Sequence, residues 1–244
     1  MPPQRQPLHR PERPVRQPHQ ARGRRRASHS LGAVLTEAVA LLDEAGEPGL
    51  TFRALAERLG GGVGSIYWYI SSKDELLDRA ADHVLGDVLT AVEPVGGGDP
   101  VENIRTMAVT LFDAIVDRPW LGAYVMRDTG VQPNALAIYE KIGQQVMRLD
   151  LTPVQQFHAI SAVVGFVLGI AADMGQEAPE AVRTGQADRA DLFAQIVHQW
   201  RGLDPRRFPF VHHIVEEFAV HDDAVQFRAG LDLLLAGLRL QAGG

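Results

Sequence analysis

The chain has 244 residues, 45% of them apolar and 22% charged, with a formal net charge of -6 and no cysteine. That apolar share supports one large or two modest cores and excludes disorder of the whole chain. The lack of cysteine excludes disulfides, thiolate metal ligands and cysteine redox chemistry, and fits a reducing cytosol.

Charge is unevenly spread along the chain. Residues 1–30 hold eight arginines against the single acid Glu12, so this stretch carries +7 and the remainder -13. Six prolines and little apolar surface predict a disordered tail over residues 1–28. Its partner should be polyanionic, with Arg24, Arg25 and Arg26 placed to reach phosphates or a minor groove; a merely solubilising extension is the alternative. The tail lacks the apolar core of a signal peptide, and the most apolar run, Ala159 to Ala172, is too short to span a bilayer. A cytoplasmic protein with no membrane partner is the expectation.

The first predicted helix runs through Leu31, Val34, Leu35, Ala38, Leu41, Leu42 and Ala45, with Ser30 as N-cap and Gly46 as stop. A second runs from Thr51, able to cap it, to Leu59, with Phe52, Leu55, Ala56 and Leu59 on one face and Arg53, Glu57 and Arg58 outside it. Gly60 supplies the exit through positive φ. The third helix is expected from about Val63 to Ile70, with Ile66 and Ile70 inward and Ser65, Tyr67 and Trp68 left to point elsewhere. Two helices so closely joined make a helix-turn-helix, a shape suited to a DNA groove. Ser72 and Glu75 have capping-box spacing and open a fourth helix towards Leu89, long enough to connect two domains.

After the turn-rich segment Glu93 to Pro100, helices are predicted over Val101–Val116, Trp120–Met126 and Asn134–Leu149. Thr152, Pro153 and Gln155 combine an N-cap, proline at N1 and a capping-box glutamine, opening a helix to at least Ala172. Gly175 to Asp188 reads as a loop; Asp191–Trp200 and Phe208–Phe218 read as shorter helices. Asp223 with Gln226 opens a last one ending near Gln241. No alternating strand pattern competes, so the class is all-α: a disordered tail (1–28), a helix-turn-helix domain (29–78) and a helical ligand-binding and dimerisation domain (79–244).

The segments AISAVVGFVLGIAA and FRAGLDLLLAGLRL are apolar on nearly every face, more than one chain easily covers. A symmetric homodimer is therefore expected, its four-helix contact built from Val164, Gly165, Leu168 and Gly169 with Leu231, Leu234, Leu235 and Leu238.

The run GSIYWYISSKDELL joins a Tyr-Trp pair, a two-serine turn and a lysine at the start of the connecting helix. With these residues the chain resembles the TetR family of ligand-responsive transcriptional regulators, over about Leu31 to Leu240, with the second half similar to the tetracycline-repressor branch. The resemblance implies a dimeric regulator that binds a palindromic operator in double-stranded DNA and answers to a small-molecule effector. It places DNA contacts at Thr51, Arg53, Ser65, Tyr67, Trp68 and Lys73. Hydroxyls and an ammonium are suitable donors to phosphate.

The chain departs from the family pattern at Gly61, Gly62, Val63 and Gly64, where relatives often carry polar side chains or proline. Gly62 and Val63 are then expected to act through backbone approach and methyl contact with thymine. Residues 31–78 hold only Arg53, Arg58 and Lys73 against eight acids. The arginine tail is expected to supply the missing positive charge. By the same resemblance the drug-contacting His and Asn of the tetracycline repressor fall on Leu89 and Met107, so a magnesium-tetracycline ligand is not expected. Met107, Leu111, Phe112, Trp120, Tyr124, Met126, Tyr139 and Phe166 are instead expected to line an apolar effector cavity.

No cofactor is expected. GxSxG, HExxH, Walker and dinucleotide fingerprints are absent, so an enzyme is disfavoured; His212, His213, Glu216 and Glu217 come closest to metal spacing. A helical interaction protein without operator binding is the second alternative.

Overall fold

The computed structural model describes residues 29–127, 130, 132–174 and 188–243, and all of its regular elements there are helical. Helix α1 (Leu31–Gly49) starts where Ser30 Oγ accepts the Ala33 amide at 3.2 Å. Its helical course breaks at Gly46, whose φ of 61° only glycine adopts cheaply, as its role of stop predicts. Helix α2 (Phe52–Arg58) is capped by Thr51, and Gly60 turns away behind it with φ 63°. Helix α3 (Val63–Ile66) is shorter than expected. From Tyr67 to Tyr69 the chain tightens into a turn, because Tyr69 N bonds to Ile66 O three residues back at 2.9 Å, while Ile70 N still reaches Ile66 O at 3.1 Å.

Helix α4 (Lys73–Ala91) opens with Ser72 Oγ accepting the Glu75 amide at 3.1 Å. The returning carboxylate takes the Ser71 rather than the Ser72 amide, at 2.9 Å, and the Ser71 hydroxyl as well. Helix α4 then runs into the body, where α5 (Pro100–Asp117) and α6 (Pro133–Val146) pack on it, while a short 3-10 turn (Pro119–Ala123) and α7 (Pro153–Met174) pack in turn on α5. Helix α7 begins with the expected reciprocal capping box: Thr152 N donates to Gln155 Oε1 at 2.9 Å, and Gln155 N to Thr152 Oγ1 at 3.4 Å. The expected loop from Gly175 falls, apart from Asp188, outside the described residues. Helices α8 (Arg189–Arg201) and α9 (Pro209–Ala219) pack mainly on each other, before α10 (Asp223–Ala242) returns along α5 and α7. The cap of α10 is Asp222, one residue before the expected Asp223, since its Oδ1 accepts the Val225 amide at 2.8 Å.

Aromatic stacking and ion pairs fix α10 to the body. Phe112 of α5 stacks on Phe227 with centroids 3.7 Å apart, and Phe166 of α7 stacks on the same ring at 5.5 Å. Glycine at 230 lets this happen, because a Cβ there would stand 2.5 Å from the Phe166 ring. Arg105, Arg228 and Arg239 pair across the seam with Asp232, Asp113 and Asp99. The N-terminus of α6 is capped from another helix: buried Asp82 of α4 accepts from Asn134 N at 2.8 Å and Ala135 N at 3.0 Å. Burial pushes the Asp82 carboxyl above its usual range, and these amides oppose the shift.

The two apolar helices are not as uniform as the sequence suggests. Val164, Leu231, Leu235 and Leu238, expected at a dimer interface, are buried in the chain's own core, whereas Gly165 and Gly169 are exposed. Leu168 and Leu234 lie between these extremes, and Val225, Leu233 and Leu240 are the large exposed apolar side chains of α10. Helix α7 is also longer than the apolar run counted from sequence: Pro153–Ile170 has the length and mean hydropathy, 1.4, of a membrane span, with only 22% of it buried within this chain.

Candidate DNA interface and effector cavity

The helix-turn-helix presents its aromatic pair outward. Trp68 is 87% exposed and Tyr67 55%, yet Tyr67 is not loose: its ring stacks on Phe52 of α2 at 4.8 Å. Burial of Ile66 and Ile70, each 1% exposed, fixes which side of the turn faces out. At the start of α3, Gly62 serves as N-cap without a side-chain bond, and a Cβ at Gly62 or Gly64 would meet nothing within 4 Å. The surface here is backbone, with the Val63 side chain half-buried beside it.

The other expected contacts are already engaged inside the chain. Thr51 Oγ1 accepts the Ala54 amide at 3.1 Å, and the Ser65 hydroxyl donates to Gly62 O at 2.6 Å. Lys73 Nζ donates to Glu47 O at 2.8 Å and lies 3.8 Å from the Glu47 carboxylate. Arg53 pairs with Glu57 at 3.3 Å, and Arg58 with Glu44 and Glu37. All three cations of residues 31–78 thus face acids of the same unit. The Arg53 pair is the most exposed of them, and such pairs contribute little, about 0–1 kcal/mol, so this guanidinium is available to exchange partners. Arg24, Arg25 and Arg26 lie outside the described residues.

In the body, Leu85, Leu111, Val125, Met126, Ala135, Ile138, Tyr139, Ile142 and Val164 line a small apolar cavity of about 10 Å3. Of the expected lining, it gathers Leu111, Met126 and Tyr139. Met107 and Phe112 are instead fully buried core, and Phe166 belongs to the Phe227 stack. The members missed in the sequence include a readable stripe, since Ala135, Ile138, Tyr139 and Ile142 are spaced i, i+3, i+4 and i+7 on α6.

Trp120 and Tyr124 turn the other way, towards α1. Trp120 Nε1 donates to Asp43 Oδ1 at 2.8 Å, Arg118 Nε to Asp43 Oδ2 at 3.1 Å, and the Tyr124 hydroxyl to Glu47 Oε2 at 2.5 Å. Burial first, and then the Glu47 carboxylate, push the Tyr124 phenol far above its ordinary value, so it stays a donor at any physiological pH. One segment therefore joins the cavity to the DNA-binding unit: Val125 and Met126 line the cavity, Tyr124 holds Glu47, and Glu47 O holds Lys73. Met126 has φ 60°, a conformation that costs a non-glycine residue about 1–3 kcal/mol. Buried Gln132 donates to Tyr124 O at 2.6 Å and braces this segment from behind.

The weak metal spacing on α9 has other work. Glu216 forms a two-pronged ion pair with Arg201, and His212 Nε2 bonds to Leu203 O.

Comparison with known proteins agrees with this geometry. Residues 34–80 match the bacterial regulatory proteins of the tetR family, and residues 94–242 the tetracyclin repressor-like C-terminal domain. An HTH-type transcriptional regulator of Saccharopolyspora erythraea is 33% identical over 136 residues, 56% of this chain and 57% of that protein. The chain thus spans little more than half the length of that relative. The HTH-type transcriptional repressor DrrR1 of Streptomyces coeruleorubidus is 28% identical over 211 residues, 86% of this chain and 77% of the repressor. A TetR transcriptional regulator of Streptomyces coelicolor superposes with a TM-score of 0.73 at 35% identity, over 88% of this chain and 99% of its own. ActR of the same organism, solved with actinorhodin, shares the fold at 22% identity and a TM-score of 0.72, covering 88% of this chain and 99% of ActR. The chain belongs to the TetR family of bacterial regulatory proteins.

Proposed function

We propose that this chain is a dimeric transcriptional repressor, not an enzyme, which binds a palindromic operator in cytoplasmic DNA and leaves it when a small, largely apolar effector enters the body. The observation that carries the reading is the outward Tyr67–Trp68 pair beside a recognition helix whose start is bare backbone. That arrangement lets main chain approach a groove closely while aromatic hydroxyl and indole N–H groups donate to flanking phosphates. Thr51, Arg53, Ser65 and Lys73 are the secondary donors. The arginines of residues 1–26 supply the cationic charge that the paired cations of the domain do not.

A second copy would cover the open faces of α7 and α10. Between them runs a groove of about 300 Å3 lined by His158, Ala159, Ala162, Val163, Leu233, Leu234, Gly237, Leu238 and Gln241. A Cβ at Gly165, Gly169 or Gly237 would meet nothing, so another backbone can approach there. The interface proposed is this outer face, with Gly165, Leu168, Gly169 and Leu234 from the expected set.

The cavity explains why an effector would act. Drug-sized ligands occupy about 300–1,000 Å3, and this cavity is closed to the size of a single water. A ligand must therefore select a body in which Met126, Tyr139 and their neighbours have moved apart, and binding one state better is what shifts an equilibrium. The Tyr124–Glu47 bond passes that movement to α1 and Lys73. Selecting genomic DNA fragments bound by the purified chain tests the function: enrichment of a palindrome is expected. Failure to enrich any palindromic site would favour the interaction-protein reading.

A further inference from the structure

The segment leading into α1 is fixed where it bears on the arginine arm. Tyr69, in the turn that closes the recognition helix, donates its hydroxyl to the carbonyl of His29 at 2.6 Å. The His29 ring lies over Gly61, where a Cβ would stand 3.4 Å from its Nε2, in contact, so any larger side chain there would crowd the imidazole. Ser30 is fixed in turn by capping α1. His29 is thus held between Tyr69, which follows the recognition helix, and Gly61, which precedes it.

Reach makes this attachment matter. An extended chain spans about 3.3–3.6 Å per residue, so Arg26, Arg25 and Arg24 lie at most about 10–18 Å from His29. One turn of duplex is about 34 Å. These arginines can therefore touch only phosphates or a minor groove within about half a turn of the recognition helix, and the direction in which the chain leaves His29 decides whether they do.

We propose that Tyr69 is a positioning residue for DNA binding: its bond to the His29 carbonyl aims the arginine arm along the DNA-facing side of the helix-turn-helix. This rests on the reading of residues 1–26 as a DNA-binding segment. Tyr69 spends its hydroxyl hydrogen on His29, so it acts through the arm and not as a phosphate donor of its own.

The test is a set of four full-domain proteins: the whole chain and the chain without residues 1–26, each with and without Tyr69→Phe, binding a short fluorescein-labelled duplex of random sequence across a salt series. One neutral hydrogen bond is lost, so Tyr69→Phe should weaken the whole chain by about two- to twelvefold. It should also flatten the salt dependence, and it should change neither in the truncated chain. Gly61→Leu, which crowds the His29 ring, should give the same arm-dependent loss, and thermal melting reports whether either variant is folded. Equal weakening of whole and truncated chains by Tyr69→Phe would overturn the proposal, because Tyr69 would then act without the arm. If truncation weakens binding and Tyr69→Phe does nothing, the anchor fails and the arm's role stands. If truncation leaves affinity and salt slope unchanged, the arm reading fails and takes the anchor with it.

Discussion

In the helix-turn-helix unit, α2 and α3 are seven and four residues long and depend on capping by Thr51 and on a few buried contacts such as Leu55 and Ile66. In the body, α5, α7 and α10 run for 18, 22 and 20 residues around the Phe112–Phe227–Phe166 stack. The small unit presents Tyr67 and Trp68 outward, the residues proposed to meet DNA. The body keeps its apolar surface inside, around a pocket of about 10 Å3 that, on the proposed function, opens to admit an effector. On the proposed function, the two regions divide the work: an outward surface for DNA and an inward core whose packing an effector would alter.

The sharpest way to break this contrast is Phe112→Ala. If Phe112 is core, as its stack on Phe227 indicates, truncation should cost about 3–5 kcal/mol of stability, read by urea unfolding. A loss below about 1 kcal/mol would mean that the site is plastic and belongs to the cavity after all.

On the reader side, Tyr67→Phe removes one hydroxyl and keeps the ring on Phe52. Hydrogen bonds to charged groups are worth about 1.5–3 kcal/mol, so operator affinity should fall by roughly ten- to a hundredfold with the melting temperature unchanged. Parallel losses of stability and affinity would show that Tyr67 is part of the fold more than of the reader. For the outer face of the body, Gly165→Leu adds a side chain where this chain has only open space. The protomer should gain up to about 0.8–1 kcal/mol from helix propensity, while crowding weakens self-association by about 1–3 kcal/mol. Sedimentation equilibrium would separate the two, and an unweakened dimer would move the interface elsewhere.

How much of this was legible in the sequence follows the same divide. Caps and glycine exits are local, so Ser30, Thr51, Gly46, Gly60, Ser72 and the Thr152–Gln155 box could be placed from spacing alone. Local rules still missed where two solutions compete: Asp222 and Asp223 are both able caps, and the Ile66–Ile70 pair does not reveal that the turn tightens after Ile66. The body was less legible because apolarity says that a face is buried without saying against what. Val164 and Leu235 satisfy an intrachain core as well as a dimer. Nothing local links Trp120 to Asp43 or Tyr124 to Glu47, both pairs 77 residues apart, so two aromatic residues expected in the cavity proved to face α1. The α6 stripe was the one cavity wall written at helical period.

The smallest effect concerns the joint between the two regions. Glu75 accepts from the Ser71 hydroxyl at 2.6 Å, the Ser71 amide at 2.9 Å and Arg79 Nε at 2.8 Å, closing the turn that carries the recognition helix into α4. The Ser71 hydroxyl above all, then its amide, and after them Arg79 hold the carboxyl below the usual glutamate value of 4.5 against the opposing pull of burial. A depressed carboxylate pKa stabilises the fold above the unfolded value, and that contribution is lost as the pH falls through the folded one. Glu75→Gln should therefore cost about 0.5–1 kcal/mol near neutral pH, as a capping contact does. The gap between wild type and variant should close as the pH drops below that ordinary value of 4.5 and through the lowered one. Thermal melts of both proteins across that range measure it. A gap that persists unchanged in acid would mean that shape, and not the carboxylate charge, holds the turn, and the joint would then resemble the packed body more than the capped reader.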